Sequence, residues 1–92
     1  MKYEIQRTSL FKKDYKRVKK RGYNVDLLKE IISKLAEGEE LPSKNKDHSL
    51  SGDWEGYREC HIQPDWLLIY RIIENKLILS LTRTGTHSDF NF

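Results

Sequence analysis

Cysteine is nearly absent from these 92 residues: Cys60 stands alone, so no internal disulfide can form, and folding in a reducing interior is expected. Long apolar runs are missing too. None approaches the ~20 residues that a membrane-spanning helix needs, and residues 1–7 (Met-Lys-Tyr-Glu-Ile-Gln-Arg) lack the apolar stretch of a signal peptide. A cytoplasmic protein with no membrane partner is the expectation. Internal repeats, low-complexity tracts and domain boundaries are likewise lacking, which points to one domain over residues 1–92 with a single modest core. A composition 37% hydrophobic and 34% charged excludes a disorder-type bias.

What is present in excess is positive charge at one end. Residues 1–21 hold nine Lys/Arg against Glu4 and Asp14, whereas the remaining chain holds eight Lys/Arg against twelve Asp/Glu. Such a split suits a surface that meets a polyanion. Charge alone fits a solvated helix face equally well.

The pattern along the chain predicts the order β-α-α-β-β-β. Residues 2–7 alternate weakly around Tyr3 and Ile5, a short strand. Ser9 is the predicted cap of a helix whose apolar face is Phe11, Tyr15 and Val18, with Leu10 beside them. Lys12, Lys13, Lys16, Arg17, Lys19, Lys20 and Arg21 fill its other face, and Gly22 ends it. Asn24 caps a second helix with a stripe of Val25, Leu28, Ile32 and Leu35, thickened by Leu27 and Ile31 and stopped at Gly38. So short a link makes an antiparallel hairpin. Residues 39–53 have no sustained periodicity, and loops of that length are uncommon unless functional or mobile. Strands follow at residues 57–63, 66–73 and 76–83, separated by turns at Pro64-Asp65 and Glu74-Asn75. In the first, Arg58, Cys60 and Ile62 share one face and Tyr57, Glu59 and His61 the other. The second is apolar almost throughout, as a strand covered on both faces would be. The fold class is α+β, with the helical hairpin on one face of a mainly antiparallel sheet.

The chemistry-bearing residues gather between Asp47 and His87: three histidines (His48, His61, His87), Asp65 in a turn, and Arg83 at the end of the last strand. Breaking an RNA phosphodiester at the 2′-OH needs a base, an acid and a fixed cation on the phosphoryl oxygens. Imidazole suits the first two because it exchanges protons near neutrality. Arginine suits the third because its planar fork bonds phosphate bidentately. Asp65 can serve as the base or orient a histidine, and Trp66, Tyr57, Phe90 and Phe92 offer faces for an unpaired base. One conflict shows at once. Counting by twos puts Arg83 on the face of Leu77, Leu79 and Leu81, which should be core, unless the strand bends or bulges first. A zinc site from His48, His61, Asp65 and His87 is disfavoured, since no pair sits at i, i+4 on a predicted helix, His61 and Asp65 belonging to a strand end and a turn. Cys60 falls among apolar neighbours and is a poor nucleophile.

Three blocks, residues 46–58 (Lys-Asp-His-Ser-Leu-Ser-Gly-Asp-Trp-Glu-Gly-Tyr-Arg), 61–70 (His-Ile-Gln-Pro-Asp-Trp-Leu-Leu-Ile-Tyr) and 83–87 (Arg-Thr-Gly-Thr-His), resemble the YafQ-type toxins of the RelE/ParE superfamily. The similarity spans essentially the whole chain. It implies a ribosome-dependent mRNA endonuclease of a type II toxin–antitoxin pair, cutting in the A site without metal or other cofactor and using the mRNA's own 2′-OH. By that resemblance the catalytic residues are His48, His61, Asp65, Arg83 and His87, with Trp66, Phe90 and Phe92 against the substrate. Arg83 holds the scissile phosphate, His87 is the general acid, Asp65 or His61 is the general base, and His48 holds Asp65. Lys12, Lys13, Lys16 and Arg17 are expected against ribosomal RNA, and a cognate antitoxin is implied. ParE-like relatives, which poison DNA gyrase, and a non-catalytic RNA-binding module are the alternatives.

Overall fold

The computed structural model describes residues 1–90. Its sheet has five strands in the order β1-β5-β4-β3-β2. These are β1 (Glu4–Arg7), β2 (His48–Ser49), β3 (Arg58–Gln63), β4 (Trp66–Ile73) and β5 (Ile78–Gly85). Helices α1 (Ser9–Lys20) and α2 (Val25–Ala36) follow β1, and a single turn, α3 (His87–Phe90), follows β5. Neighbours pair antiparallel except β1, which runs parallel to β5. The expected order holds, with one strand more: β2 is too short to show a period.

Both helices bury their stripes on the same side of the sheet. Phe11 and Val18 of α1 and Leu28, Ile31 and Leu35 of α2 join Cys60, Leu68, Tyr70, Leu79 and Leu81 in one cluster. Residues 66–70 of β4 are all buried, so this central strand is covered on both faces. Leu10 is left 51% exposed, at the margin of the stripe. The left-handed Gly22 and Gly38 end the helices as expected, with φ of 85° and 79°.

Two local expectations are corrected. Thr8, not Ser9, caps α1: its backbone is extended and its hydroxyl accepts from the Phe11 N–H at 3.0 Å. The two hydroxyls are adjacent, and Thr8 also donates to the Thr82 carbonyl at 2.7 Å, which ties the helix start to the sheet. Leu77 does not point inward with Leu79 and Leu81. It closes the β4–β5 turn in a left-handed conformation (φ 52°) and is 50% exposed.

Strand β1 accompanies β5 only as far as Leu81. Beyond it α1 takes over the open edge: the Asp14 carboxylate accepts from the Thr84 N–H at 3.2 Å. A carboxylate with 1% exposure on a basic helix is thus explained by an edge amide that would otherwise lack a partner.

Candidate active site

Two strand irregularities shape the site. Leu81 pairs with Tyr70 and Arg83 with Ile69, so Thr82 is an extra residue in β5. This bulge resolves the conflict over Arg83: it moves the side chain off the leucine face, to the side away from the helices. The second lies in β3, where His61 pairs with Leu67 and Gln63 with Trp66, leaving Ile62 over. Bulges often adjoin active sites because they re-aim side chains. On the face away from the helices, Leu67 is flanked by His61 and Gly85, and Ile69 by Glu59 and Arg83. Across three strands the flanking residues stand roughly 10 Å apart.

His61, Asp65 and His87 come together at one end of the sheet. Asp65 sits in the turn between β3 and β4, and His87 opens α3 after β5. The His87 ring nitrogen Nδ1 lies 2.5 Å from Asp65 Oδ1, which also accepts from the His87 backbone N–H at 3.1 Å. These bonds hold the Asp65 carboxyl below its usual range. The His61 ring stands 5.8 Å from the His87 ring, centroid to centroid. His61 Nδ1 lies 3.2 Å from the Pro64 carbonyl and its Nε2 3.5 Å from Glu59. Beside His61 opens a groove of about 340 Å³ lined by Lys44, Asn45, Lys46, Ile62, Gln63 and Pro64.

His48 is placed differently from the expectation. Its Nδ1 lies 2.8 Å from the Lys46 carbonyl and its Nε2 3.7 Å from Glu59, so its carboxylate neighbour is Glu59 and not Asp65. Glu59 is 5% exposed and lies between the two imidazoles. The period-2 count had put it on the face of His61, two residues away, which was the available signal. The irregular segment before β3 is anchored too. Tyr70 donates its hydroxyl proton to Asp47 at 2.6 Å, Arg58 Nε reaches the same oxygen at 3.4 Å, and the Asn45 amide donates to the His61 carbonyl at 2.7 Å.

Arg83 is bonded bidentately to Asp14, through Nε and Nη2, each at 3.0 Å. Its guanidinium lies 5.1 Å from the centre of the half-buried Phe90 ring, so that ring is engaged by a cation. Trp66 is corrected: at 1% exposure it is core, donating its N–H to Thr84 Oγ1 at 2.9 Å and meeting Tyr23 edge-on. It has no face for a base. Phe92 lies outside the described residues. Lys12, Lys13 and Lys16 are exposed on α1, and so is Arg17, although its guanidinium also lies 3.6 Å from Asp14 and 3.8 Å from Asp89. Cys60 is fully buried, and burial pushes its thiol up to about 12, which removes it as a nucleophile.

Asp89 is the staple of α3. It takes a two-pronged bond from Arg21 (2.9 and 3.2 Å) and accepts from the Thr86 N–H at 2.8 Å. A Cβ on residue 85 would lie 2.6 Å from Asp89 Oδ2, so only glycine permits this approach. The Arg21 guanidinium holds the Asp89 carboxyl far below the usual range. A carboxylate lowered in the folded state stabilises it fully above the unfolded pKa, near 4, and loses that contribution as pH falls toward the folded value. Asp89→Asn should therefore unfold at lower urea than the parent at pH 7, with the gap closing below about pH 4. An equal gap at pH 7 and pH 3 would remove the ion pair from this role.

A helical hairpin on a five-stranded sheet is an architecture found among bacterial toxins of type II toxin–antitoxin systems. The family model described as "Bacterial toxin of type II toxin-antitoxin system, YafQ" matches residues 3–91, and the chain belongs to that family. It is 38% identical over 86 residues to the mRNA interferase toxin YafQ of Escherichia coli K12, covering 92% of this chain and 91% of the relative. The crystal structure of YafQ from E. coli BL21(DE3) superposes with a TM-score of 0.90 at 36% identity, over 96% of this chain and 97% of that one. YafQ in the E. coli DinJ–YafQ complex gives 0.87 at 38% identity, over 95% and 96%.

Proposed function

We propose that the chain cuts mRNA in the ribosomal A site by metal-independent acid–base catalysis, with the 2′-hydroxyl of the mRNA as nucleophile. The enzyme class, endoribonuclease, is that of its curated YafQ relatives. The observation that carries the mechanism is the His87–Asp65 pair with the His61 ring 5.8 Å away. Asp65 fixes the His87 ring through Nδ1 and leaves Nε2 to protonate the departing 5′-oxygen. The two bonds from His87 to Oδ1 hold the Asp65 carboxyl below its usual range and so make it a weaker base, which favours His61 as the base. Glu59, close to His61 Nε2, stabilises the imidazolium that proton uptake creates. Arg83, with Nη1 not engaged by Asp14, neutralises the phosphoryl oxygens. His48 acts from behind, on Glu59.

The direct test is mapping of mRNA ends after induction, in the parent and in His61→Ala. Cuts within translated codons that vanish in the variant support this reading. Cuts in untranslated RNA overturn the ribosome-dependent part; fragments ending in a free 3′-hydroxyl, which a 2′-hydroxyl nucleophile does not leave, overturn the acid–base mechanism.

The exposed lysines of α1 fit ribosomal RNA and, in the inhibited state, a cognate antitoxin; E. coli YafQ has been solved in a DinJ–YafQ toxin–antitoxin complex. Because Arg17 is also ion-paired with Asp14 and Asp89, the clean variant is Lys13→Glu with Lys16→Glu. Its slope of log Kd against log salt for ribosomes should fall by about two. An unchanged slope removes this surface from the ribosome contact.

A further inference from the structure

The arginine set on the phosphate by the proposed mechanism is held by a residue of α1, away from the histidines. Asp14 belongs to α1, on the stripe shared with Phe11 and Val18, and is 1% exposed. Its two oxygens take Nε and Nη2 of Arg83, Oδ2 takes the Thr84 N–H, and Oδ1 lies 3.6 Å from Arg17 Nη1. A guanidinium has five N–H donors. The two bonds to Asp14 use one side of the fork, which leaves the Nη1 protons and the second Nη2 proton on the far edge. That edge is sufficient for a bidentate grip on a phosphate. Arg83 also rests near the Phe90 ring, and its side chain keeps 21% exposure, so it is pinned without being sealed in.

We propose that Asp14 is a positioning residue for the cleavage step: by holding the Nε–Nη2 side of Arg83, it fixes the outer edge of the guanidinium toward the substrate phosphate. An arginine on a bulged strand end would otherwise sample several rotamers, and their entropy would be lost at each turnover. The bond to the Thr84 amide makes the arrangement stiff, because the same carboxylate fixes strand and side chain together. This inference rests on the assignment of Arg83 to the phosphate.

The test is a double-mutant cycle with single-turnover cleavage of mRNA on purified ribosomes. Asp14→Asn keeps the shape and an acceptor for Thr84 but discards the charged clamp. It should slow the cleavage step about 10- to 100-fold, with half-saturation changed less than threefold. In an Arg83→Ala background the same substitution should slow cleavage no further. An equal loss in both backgrounds, or none in the parent, overturns the proposal. Full activity of Arg83→Ala removes Arg83 itself from the reaction, a failure of the phosphate assignment that takes the positioning role with it. Should Asp14→Asn not fold, nuclear magnetic resonance of the parent decides. The Arg83 Nε–H is expected to exchange with water at least tenfold more slowly than that of the exposed Arg7, and equal rates overturn the clamp.

Discussion

Replacing His87 with alanine should reduce cleavage of ribosome-bound mRNA by at least about 10²-fold while ribosome affinity stays within a factor of three. The asymmetry follows from where the residue sits. His87 contacts Asp65 through Nδ1 and its own backbone N–H, its side chain is nearly half exposed, and none of these bonds reaches the lysines of α1 among the described residues. Truncation removes a proton donor without touching the phosphate-binding surface. The ring's Nδ1 is engaged by Asp65, which leaves Nε2 as the nitrogen that can meet a leaving group under the proposed mechanism. The decisive measurement is the single-turnover rate beside equilibrium binding to empty ribosomes. Loss of binding in proportion to rate would make His87 a contact residue. Retained cutting would remove it from the chemistry, leaving His61 as the one imidazole able to act.

Replacing Trp66 with alanine should lower the stability of the fold by about 3–5 kcal/mol, a large part of the 5–15 kcal/mol typical of small domains. The indole is the largest fully buried side chain, lies edge-on to Tyr23 and donates to Thr84 Oγ1. Thr84 in turn donates to the Leu67 carbonyl at 2.7 Å, so the hole would open beside a short chain of buried hydrogen bonds. Trp66→Phe keeps the ring volume in part and loses the donor, for which about 1–2 kcal/mol is expected. Urea unfolding of both variants measures these losses. A phenylalanine variant as stable as the parent yet defective in cleavage would return Trp66 to the substrate-binding role that its position next to Asp65 suggests.

That tryptophan shows where reading along the chain stops. Its place at the mouth of a hairpin was legible, because Pro64-Asp65 and the apolar run behind it mark the turn. Which way it faced was not, since the β3 bulge at Ile62 and the β5 bulge at Thr82 reset the alternation on either side. The helices were legible because their periods are long and clean, and four of the strands because they alternate or, in β4, run unbroken in apolar residues. Two-residue β2 was not, because one bridge has no period. Asp14 left a trace, a carboxylate inside an otherwise apolar stripe, but its meaning depends on an edge of β5 seventy residues away. Glu59 was visible on the right face and lacked only the knowledge that His48 returns beside it through β2. Family resemblance supplied the histidines and Arg83; it was silent on what holds them.

The surplus residue at Thr82 has one more consequence. Arg83 and Thr84 are in antiphase with the strand that leads to them, because Thr82 stands outside the pairing. Were Thr82 to take a regular place opposite Ile69, Arg83 would swing among the leucines and Thr84 out toward solvent. Deleting one residue would make Arg83 the direct successor of Leu81 and leave both faces as they are, so it is the way one surplus residue is accommodated that sets which side of the molecule this strand end serves.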